Sequence, residues 1–204
     1  MRGKFITFEG SEGCGKSTQS RLLCAYLKRK GYDVVLLREP GGTKVSEKIR
    51  RILLDFRNDS MSAESEMLLY MAARAQVVSE IIKPALSKAK IVISDRFLDS
   101  TIAYQGFGLG MDIKLIKYLG NFVTQGIKPN LTIFLDLPVR KGLFMRSGKE
   151  DRIERRCFSY HQKVRQGYLS LAKSEPKIIR VVKVEKDKLT TQKNIRELVN
   201  KYVI

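Results

Sequence analysis

Gly10-Ser11-Glu12-Gly13-Cys14-Gly15-Lys16-Ser17 fits the pattern G-x-x-x-x-G-K-[ST], and its surroundings decide how it folds. Phe5-Ile6-Thr7-Phe8 ahead of it is a short apolar run, and Leu22, Leu23 and Leu27 behind it recur at helical spacing. A strand, a glycine-rich turn and a helix in that order make a phosphate-binding loop; a glycine turn that merely opens a helix is the plainer alternative. Gly10, Gly13 and Gly15 let backbone N–H groups curl around phosphate oxygens without Cβ clashes. Lys16 offers a cation to the β and γ phosphates, Ser17 a hydroxyl to Mg²⁺, and the helix N-terminus adds partial positive charge. The stretch from Gly10 to Thr18 therefore reads as a nucleotide-phosphate site.

The chain has 204 residues, which suits one domain with a single core. Its 43% apolar and 29% charged residues are those of a globular protein, and no apolar run reaches membrane-spanning length. Met1-Arg2-Gly3-Lys4 leads straight into the first strand, leaving no room for a signal peptide. The three cysteines, Cys14, Cys24 and Cys157, are too few and scattered for a zinc site or disulfide framework, and a cytoplasmic location is expected. The net charge of +18 raises the question of nucleic acid. The basic residues are spread out, and pairs such as Arg50-Arg51 and Arg155-Arg156 sit in helical patterns as solvated faces. No specific nucleic-acid partner is expected.

Short β-rich runs alternate with helical patterns, the signature of a parallel sheet with crossover helices. Strands are expected over Lys4–Glu9, Asp33–Leu37, Ile91–Ser94, Leu131–Asp136 and Ile178–Val184. Helices are expected over Lys16–Lys30, Lys44–Leu54, Ala63–Lys88, Ile113–Gln125, Val139–Met145, Ile153–Lys173 and Thr190–Lys201. Pro84 should kink or end the third of these, and Glu64 and Glu66 suit its N-terminal dipole. The charge-dense run from Arg146 to Arg152 reads as a short lid on one domain spanning 1–204.

The third strand, Ile91-Val92-Ile93-Ser94-Asp95-Arg96, ends in an acid. A buried strand of this kind delivers Asp95 to the sheet rim where open α/β sheets bind ligands. Asp95 can hold a metal-bound water there, and Arg96 can fork onto phosphate oxygens; a surface ion pair is the plainer alternative. No Asn-Lys-x-Asp base-reading motif is present, which argues against a GTPase switch.

Further segments accompany the loop in order: Arg38-Glu39-Pro40-Gly41-Gly42-Thr43, Ala72-Ala73-Arg74, Asp95-Arg96-Phe97, Ala103-Tyr104-Gln105-Gly106 and Asp151-Arg152-Ile153-Glu154. On these the chain resembles the thymidylate kinases over nearly its whole length. The resemblance implies an α/β P-loop nucleoside-monophosphate kinase fold, a five-stranded parallel sheet with helices on both faces and a short lid. It implies the reaction ATP + dTMP → ADP + dTDP on the way to dTTP, with Mg²⁺, in a cytoplasmic homodimer. Gly10, Ser11, Glu12, Gly13, Cys14, Gly15, Lys16, Ser17 and Thr18 would bind ATP, and Ser17 and Asp95 would serve the metal. Tyr70 would stack on thymine and Arg74 would donate to the base. Ser100 and Thr101 would meet the pyrimidine edge, with Gln105 in the same wall. Tyr104 would crowd the sugar C2′, Glu12 would bond its 3′-OH, and Arg96 would hold phosphate. For Tyr70, core packing is the competing reading, since Leu69 and Met71 flank it.

Phosphoryl transfer asks mainly for positioning and charge neutralisation, and an ionised acceptor phosphate needs no general base. Some members of that family carry a transfer arginine in the loop, where this chain has Gly13. The lid must then supply it, from Arg152 in the matched Asp-Arg-Ile-Glu or from Arg146, with Lys149 assisting; Lys16 and Arg96 complete the catalytic set. Val184-Glu185-Lys186 stands where the family has Ile-Asp-Ala, so adenine contacts near residues 183–190 are left unassigned. A kinase of the same fold acting on another nucleotide or a deoxynucleoside, and a nucleic-acid-binding ATPase, are the alternatives.

Overall fold

β1 (Lys4–Glu9) is apolar toward both sides and buried along nearly its whole length, as a strand covered by helices on both faces must be. In the computed structural model of the chain, residues 3–146 and 150–204 are described. β1 lies at the centre of a five-stranded sheet with β2 (Val34–Arg38), β3 (Ile91–Asp95), β4 (Leu131–Asp136) and β5 (Ile179–Lys183), in the order β2-β3-β1-β4-β5. Every pairing is parallel, so all carboxyl ends meet at one rim.

Helices α1 (Lys16–Arg29) and α9 (Lys188–Tyr202) cover one face. Ile6, Phe8, Ile93 and Ile133 of the strands pack there against Leu23, Leu27 and Val199. The other face carries α2 (Lys44–Leu54), α3 (Ala63–Val77), α4 (Lys83–Ser87), α5 (Leu98–Thr101), α6 (Ile113–Val123) and α8 (Phe158–Ser174), while α7 (Val139–Phe144) follows β4. Phe5 and Val92 meet Val77 and Ile82 there, and Phe134 meets Tyr168. Thr43 caps α2 through Ser46 N–H, and Ser62 caps α3 through Ser65 N–H, each satisfying an otherwise orphan donor.

The expected strands and most helices are present, with ends shifted by a residue or so. Three segments differ. Pro84 does not end its helix: a π-helical turn over Val78–Ile82 absorbs the missing N–H, and the helix resumes as α4 with Pro84 in its first turn. Residues 98–108, where the sequence pattern predicts no element, form α5 continued by a π-helical run over Ile102–Gly108. A wider turn and two glycines hide that run from a search at period 3.6. The helix expected from Ile153 begins at Phe158, because Asp151 Oδ1 accepts from the Ile153 and Glu154 N–H groups at 2.9 Å and folds the chain into turns.

Candidate active site

The carboxyl ends of β1, β2 and β3 open into a cleft of about 360 Å³. Gly10, Gly13 and Gly15 carry φ values of +145°, +70° and +88°. At Gly13 the packing is decisive as well: a Cβ would stand 1.9 Å from the Gly142 carbonyl oxygen of α7. No side chain fits there, so an arginine cannot be housed at that position of the loop. Lys16 Nζ donates to the carbonyls of Gly10 at 3.0 Å and Ser11 at 2.8 Å and lies 3.6 Å from Cys14 Sγ. Burial pushes the Cys14 thiol up, consistent with packing rather than reactivity. Ser17 Oγ donates to Asp95 Oδ2, bringing a hydroxyl and a carboxylate together beside the loop.

Glu12, Gly13, Gly15, Lys16, Ser17 and Thr18 line the cleft, whereas Gly10, Ser11 and Cys14 lie behind it and support it. Tyr70 of α3, Asp95, Arg96, Ser100, Thr101, Tyr104, Gln105 and Arg146 line the rest of the cleft, with Asp95 and Arg96 bonded to the loop itself. Arg96 sits at φ +76°, a strained conformation for a residue with a side chain. Its Nη2 donates to Glu12 Oε1 at 2.7 Å and to Tyr104 Oη at 3.0 Å, and Tyr104 Oη donates to the same Glu12 oxygen at 2.6 Å. Burial disfavours ionisation of Glu12, but Arg96 and then Lys16 outweigh it and hold the carboxyl at about 2, against an ordinary 4.5.

A carboxyl lowered on folding stabilises the native state above its unfolded pKa, and the contribution fades as pH falls toward the folded value. Wild type should lose about 2 kcal/mol more than Glu12→Gln between pH 6 and pH 3. Urea midpoints of the two proteins at both pH values measure this; parallel losses would refute it.

Two predicted residues are placed differently. Arg74 is buried beneath the cleft, with Nε on Glu39 Oε2 at 2.8 Å, Nη1 on Thr101 Oγ1 at 2.9 Å and Nη2 on the Phe97 carbonyl at 2.8 Å. It is not among the lining residues, and it reaches the cleft through Glu39 and Thr101, which are. Arg152 is also buried outside the lining, its Nε on the Leu53 carbonyl at 2.9 Å and its Nη2 on Glu66 Oε2. Drawing it into the cleft would strip a buried carboxylate of a partner, which is costly. Arg146 instead lines the mouth, held by the Leu143 and Glu154 carbonyls at 3.1 and 3.0 Å and by Glu150 at 2.8 Å. Lys149 lies outside the described residues.

Glu66 is correspondingly more than a dipole partner. It is fully buried and binds Arg152, Arg156 and Gln105. Arg156 and Arg50, read as solvated, serve the interior and the cleft wall: Arg50 donates to the Pro40 carbonyl at 2.9 Å and lines the cleft with Arg38. Nothing in the local pattern marks Arg50, because its helix places it at the rim only once α2 docks. His161 is buried, with Nε2 3.4 Å from the Glu154 carbonyl.

A family model described as "Thymidylate kinase" matches residues 8–195. The chain belongs to the thymidylate kinase family. A thymidylate kinase of Thermoanaerobacter sp. (strain X514) is 45% identical over 204 residues, covering 100% of both chains. One of Geotalea daltonii is 52% identical over 182 residues, covering 85% of each. Among solved structures, a thymidylate kinase from Ehrlichia chaffeensis superposes with a TM-score of 0.81 at 34% identity, covering 98% of this chain and 100% of that one. The P-loop kinase fold of that family is thus shared by this chain, and the cleft lies where the sheet order and the loop require it.

Proposed function

We propose that this protein transfers the γ-phosphoryl of ATP to dTMP, giving ADP and dTDP. The observation that carries the reading is a second anion seat facing the phosphate loop. Arg96 is fixed there by Glu12 and Tyr104 and walled by Tyr70, Ser100, Thr101 and Gln105. Loop N–H groups and Lys16 hold the donor phosphates, Arg96 holds the acceptor phosphate, and its ionised oxygen attacks the γ-phosphorus in line. Tyr70 stacks on the base, and Tyr104 crowds the sugar and disfavours ribonucleotides. Arg74 orients Thr101 at the pyrimidine edge. Arg146 at the mouth meets the migrating phosphoryl as charge redistributes.

Mg²⁺ fits this chain's donors: Ser17 and Asp95 offer a hydroxyl and a carboxylate, and no group of three His, Cys, Asp or Glu stands ready among the described residues. Few protein ligands and several from phosphates and water suit that ion. When bound, it supplies charge neutralisation at the β and γ oxygens. No helix among the described residues is long and apolar enough to cross a membrane; we assign a single domain over 1–204 to the cytoplasm, and residues 147–149 of the lid expected at about 146–152 lie outside the described residues.

A panel of nucleoside monophosphates with ATP and Mg²⁺, read as ADP formed, tests the reading. dTMP should be the best acceptor, dUMP poorer and ribonucleotides very poor; no ADP above background with dTMP, while another monophosphate reacts, would overturn it.

We also infer a homodimer. Leu68 of α3 is 53% exposed, and Tyr118 and Phe122 of the adjacent α6 are 74% and 76% exposed, a patch that a second copy can cover. Sedimentation at micromolar protein should give twice the chain mass, and a monomer would refute this.

A further inference from the structure

We propose that Glu9 is a positioning residue for phosphoryl transfer, acting through the Ser100 and Tyr168 hydroxyls on Arg96. The proposal rests on the reading that Arg96 holds the acceptor phosphate.

Glu9 ends the central strand and is fully buried. Burial pushes the Glu9 carboxyl up, opposed first by the Ser100 hydrogen bond and then by the Arg96 charge; as a carboxylate it must be met by donors, and these come from the segments that build the acceptor seat. Phe97 N–H donates to Oε1 at 2.7 Å. The Ser100 hydroxyl donates to Oε2 at 2.6 Å and the Tyr168 hydroxyl to the same oxygen at 3.0 Å.

A hydroxyl has one proton. The two oxygens also lie 2.8 Å apart, where either could donate to the other; when the charge of Glu9 draws both protons instead, the lone pairs of Ser100 and Tyr168 are left for Arg96 Nη1, which stands 3.3 and 3.4 Å away. The carboxylate thereby turns two ambivalent hydroxyls into acceptors for the guanidinium. The inner edge of Arg96, which also donates to the Gly10 carbonyl at 3.2 Å, is held from below. The outer edge, on Glu12 and Tyr104, faces the cleft.

Glu9 also holds the main chain immediately after the strained residue. The Arg96 N–H donates to the Phe8 carbonyl at 2.9 Å, the Arg96 carbonyl accepts from Ser94 Oγ at 2.6 Å, and the next N–H is the one on Glu9. Tyr168 cannot drift, since its ring is stacked on Phe134 with centroids 5.2 Å apart and planes at 20°.

Glu9→Gln keeps the shape but offers an amide N–H₂ or a weaker acceptor, so that a hydroxyl proton can turn toward Arg96. Tyr168→Phe removes one acceptor and leaves the stack. Each is measured alone and in an Arg96→Ala background, with kcat/KM for dTMP as the readout and a circular-dichroism melt as the control for folding. Glu9→Gln should lose about 100-fold and Tyr168→Phe about 10-fold on wild type, and each less than about 2-fold when Arg96 is already gone. A packing defect would lower both backgrounds alike, and that result, or wild-type kcat/KM in Tyr168→Phe, would overturn the proposal. Should Glu9→Gln fail to fold, Tyr168→Phe carries the same comparison, since Tyr168 does not line the cleft. If Arg96→Ala itself has normal kcat/KM, the acceptor-seat reading falls and the proposal with it; if Arg96→Ala is impaired but Glu9 remains additive to it, the proposal alone falls.

Discussion

Lys16→Ala is expected to lower kcat/KM for ATP by about 10²-fold or more, a loss of roughly 3 kcal/mol of transition-state stabilisation, as for one preorganised electrostatic donor. Its ammonium already rests on the Gly10 and Ser11 carbonyls within the loop, so it meets the phosphates without first being ordered. The fold should survive. Gly10 O still receives Arg96 Nη1 at 3.2 Å, and Gly13 is locked against Gly142 by backbone packing rather than by the lysine. Steady-state kinetics beside a thermal melt check both parts. Normal turnover would remove Lys16 from the mechanism, and an unfolded variant would make it structural.

The second large effect separates two arginines six positions apart. Arg146→Ala is expected to depress kcat by about 10²-fold with little change in KM for dTMP, because a cation that meets the phosphoryl only during transfer acts on the transition state. Its melting temperature should barely move, since it is tied to two carbonyls and the exposed Glu150. Arg152→Ala is expected to do the reverse. Loss of a buried partner of Glu66 should destabilise the chain by about 3 kcal/mol, tempered by Arg156, which holds the same carboxylate at 2.7 Å. The Asp-Arg-Ile-Glu motif points to Arg152, and the burial of its guanidinium shifts the assignment to Arg146. A kcat defect in Arg152→Ala at unchanged stability, with Arg146→Ala normal, would restore the first assignment. Should both single variants and the double variant turn over normally, the phosphoryl is neutralised elsewhere.

Much of the architecture was legible because it rests on local chemistry. The strand–loop–helix unit from Lys4 to Arg29 follows from an apolar run, three glycines and a helical leucine stripe. The alternation after it leaves few alternatives to a parallel sheet. The cleft residues Glu12, Lys16, Ser17, Asp95 and Arg96 were legible for the same reason: each lies in the loop or at a strand end, where this topology delivers side chains to one rim, whereas Tyr104, in a π-helical run with no period-3.6 signal, was placed only by resemblance.

What escaped the sequence is every decision made by partners distant along the chain. Glu9 and Glu66 looked like an ordinary strand end and a first-turn acid. Only docking of α5 and α8 surrounds Glu9 with Phe97 N–H, Ser100 and Tyr168, and only the turns after Asp151 bring Arg152 and Arg156 onto Glu66. Arg152 and Arg146 carry the same group, and burial beside a counter-charge gives Arg152 a buried ion pair while Arg146, paired with the exposed Glu150, keeps the cleft. Residue type, order and spacing in the sequence therefore determined the fold, the phosphate loop and the acid at the end of β3, because short-range sterics and hydrophobic period act within a few residues. The tertiary structure alone decided which charges are buried together and which face the cleft, because desolvation and pairing depend on neighbours that the chain brings together from as far apart as Glu9 and Tyr168.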